Sequence, residues 1–365
     1  MEIQNLTKEI RDRSLERMKK RKPEELSASW FQDDLLYSGK GKSIFIIIPT
    51  PGCSWALGDS GGCTMCSYIS DCTLEPTDAD TIFQLFKNEF KKYLDEIKES
   101  EEKNEKIAIK LFASGSFLNP KEVPKEARDN ILKYLATNKA ITEIIVESRP
   151  EYVKKEILGE IFEIIGDKLF EIAIGLESSN DETREEKINK GFSREDFEKA
   201  INTIKSLKNS HNIKSKAYIL VKPILLSEKE AINEAIETAK YCEKIGVDRV
   251  SFTPATIHKG TVIEQMWRLG AYQPPWIWSV VKIINTVRKE IAIPSFMDTS
   301  GFGSRRGPYN CKKCNKELKH TIINSNLNQN MVEYENCDCM EEWIANTKIA
   351  NLNKSQIKIK HLPLI

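Results

Sequence analysis

Short apolar segments alternate with longer amphipathic segments through most of this chain, and this alternation restricts its fold more than any other feature. Nearly continuous runs of Ile, Leu, Val and Phe are typical of strands in a parallel sheet that helices cover. The predicted strands are Ser43–Ile48, Lys106–Phe112, Ile141–Glu147, Leu169–Glu177, Lys214–Val221 and Val247–Phe252. The predicted helices between them are Asp80–Lys98, Lys125–Thr137, Tyr152–Ile165, Arg194–Lys208 and Glu228–Ile245. Six such units favour an α/β fold with a closed or partly closed (β/α)6 barrel over a doubly wound sheet.

Three cysteines follow the first predicted strand on a glycine-rich stretch, TPGCSWALGDSGGCTMCSY. They are Cys53, Cys63 and Cys66, which we call the cysteine trio. In either sheet architecture, ligands bind at this end of the strands. A [4Fe–4S] cluster takes four ligands, so three thiolates leave one iron open to an outside ligand. Two other interpretations remain, a zinc site completed by Cys72 and cysteines that only pack.

Four further cysteines lie beyond about Pro294, where the alternation stops. Their pattern is CxxC, an interval of 22 residues and then CxC. We call Cys311, Cys314, Cys337 and Cys339 the cysteine quartet. Four thiolates with no vacancy are typical of a structural zinc site, and the pattern is similar to a zinc ribbon. A second iron–sulfur cluster is the alternative.

Basic residues surround the first pair of the quartet, with Tyr309 between them. They are Arg305, Arg306, Lys312 and Lys313. Basic side chains beside an aromatic ring suit an RNA backbone and an unstacked base, so these residues are predicted RNA contacts. A solvated charged rim is the other interpretation.

Composition limits the class of protein. The 365 residues carry a net charge of +1, so a nucleic-acid site has to be a local basic patch rather than a general affinity for polyanions. No apolar stretch approaches the length of a membrane span, and the charged N-terminus lacks a secretory signal. Nine cysteines in such a chain favour metal binding or catalysis in a reducing compartment, and we expect a cytoplasmic protein.

The strand ends resemble the radical S-adenosylmethionine superfamily over roughly residues 44 to 265. The trio ends in CxxC with Met65 before its last cysteine, as in that superfamily, although nine residues lie between the first two cysteines instead of the usual three. The resemblance implies a partial TIM-like barrel in which the trio ligates a [4Fe–4S] cluster and S-adenosylmethionine binds the open iron.

Motifs at the later strand ends continue the resemblance. ASGSFLNP stands where Gly-Gly-Glu is often found, and VESRPEYV and GLESSND are similar to segments of the branch that contains the Elongator catalytic subunit and the methylthiotransferases. LVKPIL and TPATIHKGTVIE follow the fifth and sixth strands. The residues thereby implied in S-adenosylmethionine binding are Met65, Ser114, Gly115, Ser116, Glu147, Arg149, Glu177 and Lys222. No catalytic side chain is assigned.

The combination of PTPGCSW, GGCTMCSY, ESRPE, GLES and a terminal quartet resembles the archaeosine-synthase-associated radical S-adenosylmethionine enzymes. The resemblance implies a lyase that cleaves the carbon–nitrogen bond of a lysine adduct of 7-cyano-7-deazaguanine in tRNA, giving archaeosine. It also implies archaeosine synthase and a low-potential electron donor such as ferredoxin as partners. The alternatives are another radical enzyme of tRNA modification, methylthiotransferase-like or Elongator-like, and a non-catalytic zinc protein that binds RNA.

These observations divide the chain into three parts. We expect a helical extension over residues 1–42, the barrel over 43–293, and a metal-binding, tRNA-contacting region over 294–365.

Overall fold

The computed structural model describes residues 3–349 and contains one open sheet of eight strands. The strands are β1 Ala28–Leu36, β2 Gly39–Ile47, β3 Ile107–Phe112, β4 Ile141–Glu147, β5 Leu169–Glu177, β6 Ile213–Val221, β7 Arg249–Pro254 and β8 Ser295–Met297. Their order in the sheet is their order in the chain, without the reversal of a doubly wound fold. All neighbours from β2 to β8 are parallel, whereas β1 pairs with β2 antiparallel. The predicted partial barrel is confirmed.

The two faces of the sheet differ sharply in chemistry because strand residues alternate between them. The outer face is apolar and fully buried against the helices, as with Ile109, Ile172 and Ile219. On each strand, the residues that alternate with these apolar ones point to the inner, concave face. That face carries Lys110, Glu171 and other charged groups. A packed barrel core would be filled by aliphatic side chains, so this polar inner face is suited to a ligand.

Twelve helices are described in residues 3–349, most of them lying on the outer face of the sheet. They are α1 Ile3–Glu16, α2 Ser54–Leu57, α3 Ala79–Lys91, α4 Leu94–Glu102, α5 Lys125–Ala136, α6 Lys155–Ile165, α7 Arg194–Leu207, α8 Glu228–Ile245, α9 Val262–Arg268, α10 Ile277–Glu290, α11 Asn315–Asn328 and α12 Cys339–Ile349. The local sequence determines where several of these helices begin. Ser193 and Ser227 accept hydrogen bonds from the third amide of α7 and α8, and an acidic residue at that position completes a capping box.

The ends of the chain differ from the sequence-based expectation. The segment before Ser43 is helical only in part, because β1 follows α1 and extends the sheet at one edge. Beyond Pro294, β8 adds a further parallel strand beside β7. The quartet then lies among loops and helices α11 and α12 rather than in a ribbon of strands. The three-part division of the chain stays a prediction, and residues 350–365 of its last part lie outside the described residues.

In the described part of the chain, no helix is long and apolar enough to cross a membrane.

Candidate functional site

The cysteine trio lies beyond the carboxyl end of β2, where the loops after the other parallel strands also gather. The loop after β5 anchors it. Asn189, held at a φ of 58°, donates from Nδ2 to the carbonyl oxygens of Ser60 and Gly62 at 2.8 and 2.7 Å. Thr64 donates its backbone N–H to the carbonyl oxygen of Ile188 at 2.9 Å. The loop between the first two cysteines is therefore built against another strand end, which accommodates their long spacing.

Helix α1 places a buried cation against the trio. Arg11 is 2% exposed, and it donates from Nε to the carbonyl oxygen of Gly61 at 3.1 Å and from NH2 to that of Cys66 at 2.6 Å. Its third nitrogen, NH1, is buried and has no hydrogen-bond partner. Burial lowers the pKa of Arg11, and the nearby cysteines, Cys66 foremost, oppose that shift. An unpaired guanidinium donor beside three thiols is suited to an anionic group bound between them.

The thiols themselves fit a cluster better than a single ion. Tetrahedral zinc brings its sulfur ligands to about 3.8 Å of one another, since each Zn–S bond is about 2.3 Å. Among residues 3–349, the quartet is the only group of three or more metal-ligating side chains whose ligand atoms all lie within 4.8 Å of one another. The trio does not meet this limit, so its thiols are placed too far apart for one tetrahedral ion, and a cluster would put iron and sulfide between them.

Cys72 has a role of its own in the loop. Its thiol donates to the carbonyl oxygen of Tyr68 at 3.1 Å, and its side chain packs with Ala56 and Ile69. Burial raises the pKa of Cys72 to about 12 and also that of Cys66 to about 12. Arg11 opposes this rise at Cys66 without cancelling it, so thiolate formation there depends on a bound metal group. The contacts of Cys72 are those of a packing residue.

The segment after β3 is tied to the trio through Glu122, which is 1% exposed. Its carboxylate accepts from the backbone N–H of Ser54 at 2.8 Å and from that of Ser116 at 2.5 Å. Gly115 is required here, because a Cβ at that position would lie 2.1 Å from a Glu122 oxygen. Ser114 has a φ of 49°, an uncommon backbone for a serine. This strand end thus approaches the trio closely, although its role in cofactor binding stays a prediction.

Arg149 and Glu147 end β4 in different surroundings. The Arg149 guanidinium donates to Glu151 Oε1 at 2.5 Å and to the carbonyl oxygens of Lys190 and Gly191 at 2.9 and 3.3 Å. It also lies 5.2 Å from the ring centroid of Trp55. It therefore holds the loop after β5 against α2 as well as facing the trio.

Glu147 faces the concave surface and hydrogen-bonds the Tyr218 hydroxyl. Burial raises the pKa of Glu147 to about 7.

Glu177 and Lys222 are both in ion pairs at the ends of β5 and β6. Glu177 Oε1 lies 2.7 Å from Lys190 Nζ, and Lys222 Nζ lies 2.6 Å from Glu228 Oε2. Both residues have a positive φ, 66° and 64°, which turns the chain sharply at the strand end. Met65 packs beside a second hydrophobic cluster that includes Leu6. The structure brings all of these predicted residues to the same rim, but their contacts to a cofactor stay predictions.

The quartet forms a compact four-thiol group. Cys311 Sγ lies 3.5 Å from Cys314 Sγ and 3.6 Å from Cys337 Sγ, and Cys314 Sγ lies 3.7 Å from Cys339 Sγ. These separations are close to those of a tetrahedral zinc site. The Trp278 indole N–H donates to Cys339 Sγ at 3.3 Å, so α10 supports the group from behind. Burial raises the pKa of Cys311, but the backbone N–H of Cys314 and the neighbouring thiols outweigh it and hold that pKa down to about 7.

The four basic residues beside the quartet are not equivalent. Arg305, Lys312 and Lys313 are exposed, and Lys313 pairs loosely with Asp338 at 3.2 Å. Arg306 instead donates to Glu264 Oε1 at 2.9 Å and to the carbonyl oxygen of Ile257 at 3.2 Å. Arg306 therefore joins the terminal region to α9, and its guanidinium is largely occupied by the protein.

Sequence reasoning missed several residues that shape the site. Arg11, Glu122, Asn189 and Lys190 lie far from the trio along the chain, and nothing in their local sequence marks them. Tyr68 is the second residue after the trio and is 59% exposed. A tyrosine two residues after CxxC is the one signal in the local sequence that could have been used.

Comparison with known proteins gives close relatives. The chain is 40% identical to an uncharacterized protein of Methanocaldococcus jannaschii, with 95% of this chain and 93% of that protein covered. It is 35% identical to archaeosine synthase subunit beta of Methanosarcina acetivorans, with 94% of this chain and 95% of that protein covered. It is 34% identical to the subunit of the same name in Thermococcus kodakarensis, with 86% of this chain and 94% of that protein covered.

No protein-family model matches the chain. Among solved structures, an Elp3 of Methanocaldococcus infernus has a TM-score of 0.45 at 16% identity, covering 63% of this chain and 57% of that one. A queuine lyase of Clostridium spiroforme has a TM-score of 0.45 at 18% identity, covering 78% and 96%. These two likenesses are too remote to bear on the site. The curated relatives are close over almost their whole length, and the chain therefore belongs to the archaeosine synthase subunit beta family, the archaeosine-synthase-associated radical S-adenosylmethionine enzymes that its motifs resemble.

Proposed function

We propose that this chain is a radical S-adenosylmethionine lyase that completes archaeosine in tRNA. Its substrate in this proposal is a lysine adduct of 7-cyano-7-deazaguanine within tRNA, and it cleaves the carbon–nitrogen bond of that adduct while acting with archaeosine synthase. The observation that carries the proposal is the trio at the rim of an open barrel, with the unpaired NH1 of Arg11 buried beside it. The name shared by the two curated relatives supports the choice of pathway.

The residues present fit the cofactors that this function needs. Cys53, Cys63 and Cys66 would ligate a [4Fe–4S] cluster, and Arg11 would offset part of its negative charge. S-adenosylmethionine would bind at the rim formed by the segments at Ser114–Ser116, Glu147, Arg149, Glu177 and Lys222. When bound, the two groups supply a carbon-centred radical that takes a hydrogen atom from the substrate.

The protein's own task is to position the substrate and to exclude water and other hydrogen donors. Tyr68 lies over the concave face close to Glu147 and Glu177, so it can close the space between the trio and the inner face. The ion pair of Glu177 with Lys190 and the clamp of Arg149 on the same loop hold that side of the rim in place.

The terminal region supplies the contact to tRNA in this proposal. The quartet would hold zinc, and the exposed cations Arg305, Lys312 and Lys313 would meet phosphates. A low-potential donor such as ferredoxin would provide the electron.

The test uses full-length protein whose cluster has been reconstituted without air. Reduced enzyme, S-adenosylmethionine and tRNA carrying the lysine adduct are incubated, and the digested RNA is analysed by mass spectrometry. We expect the formamidine base only when the cofactor is present, and none with Cys63→Ala.

Two results would contradict the proposal. Release of 5′-deoxyadenosine with the adduct intact would keep the radical chemistry but refute this substrate, and would favour a methylthiotransferase-like or Elongator-like reaction. RNA binding without any cleavage of the cofactor would favour a non-catalytic zinc protein.

A further inference from the structure

The concave face carries two ion pairs and a buried lysine that belongs to neither of them. Asp34 lies 2.5 Å from Lys110, and Glu171 forms an ion pair with Arg249. Lys216 lies on β6, between the strands that carry Glu171 and Arg249, and is 8% exposed. In residues 3–349, no ion pair within 4.0 Å includes it.

Two aromatic rings contact the Lys216 ammonium group, while the neighbouring carboxylates Asp34 and Glu171 are held in ion pairs by Lys110 and Arg249. Its Nζ lies 5.1 Å from the ring centroid of Tyr218 and 5.7 Å from that of Phe296. Burial, and then the charge of Lys110, lower the pKa of Lys216 to about 8. Contact with a ring face offsets only part of the cost of burying a charge. Because no ion pair among the described residues includes this ammonium group, an anionic partner would stabilise it.

The aromatic residues next to Lys216 in the direction of the rim are partly exposed. Tyr218 is two residues nearer the carboxyl end of β6, and both it and Phe296 keep part of their surface exposed. The register pairs Glu177 at the rim with Ile219, three residues beyond Lys216. At about 3.3 Å per residue, Lys216 thus lies roughly 10 Å below the rim.

We propose that Lys216 binds the carboxylate of the amino-acid part of the substrate, inside the barrel and below the trio. This inference rests on the proposed function, in which the substrate carries lysine. A lysine joined to the base through its side-chain nitrogen keeps its α-carboxylate at the far end of a chain of six bonds, about 7–8 Å long. That length spans most of the distance from the rim to Lys216. The carboxylate would supply the partner that Lys216 lacks, and the two aromatic rings would pack against the methylene groups.

The experiment compares two synthetic nucleoside adducts of the deazaguanine, one made with lysine and one with cadaverine, which has the same chain without the carboxylate. Binding of each to cluster-loaded enzyme with S-adenosylmethionine is measured by calorimetry without air. A charge-assisted hydrogen bond contributes about 1.5–3 kcal/mol, so the native enzyme should prefer the lysine adduct roughly 10- to 150-fold. Lys216→Gln and Lys216→Met should bind both adducts about equally.

Lys214→Gln is the matched control. Lys214 lies on the same strand and the same face but at its start, 3.4 Å from Asp248, and this variant should keep the native preference. Circular dichroism and iron content confirm that each variant is folded and loaded. If the native protein binds both adducts equally, or binds neither, the inference is wrong whatever the variants do.

The outcomes also separate this inference from the proposed function. Conversion of adduct tRNA to the formamidine base, without any preference for the carboxylate, would keep the function and refute the role of Lys216. A preference that depends on Lys216, without any formamidine product, would keep the carboxylate site and refute the reaction.

Discussion

Replacing Arg11 should make the cluster at the trio harder to reduce. Its guanidinium donates to the backbone of Cys66 at 2.6 Å, so a cluster ligated by Cys66 would have this positive charge nearby, at a separation on the order of 7 Å. In surroundings with an effective dielectric constant of about 20, a unit charge at that distance stabilises the added electron by about 2 kcal/mol. For one electron this corresponds to roughly 100 mV. Arg11→Met should therefore lower the midpoint potential by about that amount.

The measurement is a redox titration of the cluster without air, followed by electron paramagnetic resonance. Arg11→Lys keeps the charge and should retain most of the native potential. Arg13→Met is a control on the same helix, since Arg13 is partly exposed and pairs with Glu9 at 3.0 Å. If Arg11→Met bound a full cluster with the native potential, the guanidinium would not act on the cluster, and its role would be limited to holding the loop.

Three further predictions concern the metal sites and the RNA. Cys63→Ala should abolish iron binding while circular dichroism shows a folded barrel. Cys72→Ala should keep its iron, because Cys72 only packs in the loop. Loss of iron from both variants would instead support four protein ligands. The quartet should contain one zinc per chain by metal analysis, and chelation should unfold the helices around it before the barrel; iron in place of zinc would indicate a second cluster. Arg305→Ala should weaken tRNA binding, measured by filter binding across salt concentrations. The slope of the logarithm of the binding constant against the logarithm of salt concentration should fall in magnitude by about one, since one phosphate contact is lost. Arg306→Ala should instead lower the melting temperature, since its partners are Glu264 and Ile257; equal effects on tRNA binding would show that both residues contact RNA.

The sequence predicts the sheet well where strands are buried on both faces. All six predicted strands are present, because apolar runs bounded by turns are distinctive. β1 was missed because ASWFQDDLL mixes apolar and acidic residues, as an edge strand can. β8 was missed because three residues are too few for a periodic signal.

The candidate site was predictable only in its ligands. Cysteine spacing reveals which thiols act together, but Arg11 is brought to them by packing across a separation of 55 residues. Lys216 left a trace that could have been followed. KSKAYILV contains Lys214, Lys216 and Tyr218 at alternate positions, and polar residues with that period are unusual for an internal parallel strand. They indicate that the inner face of β6 is not packed with aliphatic side chains.

The packing of α1 on the trio has a consequence for how the protein would be assembled. A Cβ at Gly61 would lie 2.4 Å from the Cα of Lys8, so the helix backbone rests directly on the loop. All three cysteines stay partly exposed with the helix in place, so iron and sulfide could enter from the open rim of the folded protein. The docked helix would then act from behind, by keeping the loop in the shape that the thiols need. A bulky fusion ahead of α1 that prevents docking should accordingly lower the iron content after reconstitution, while protein with α1 docked should take up a full cluster.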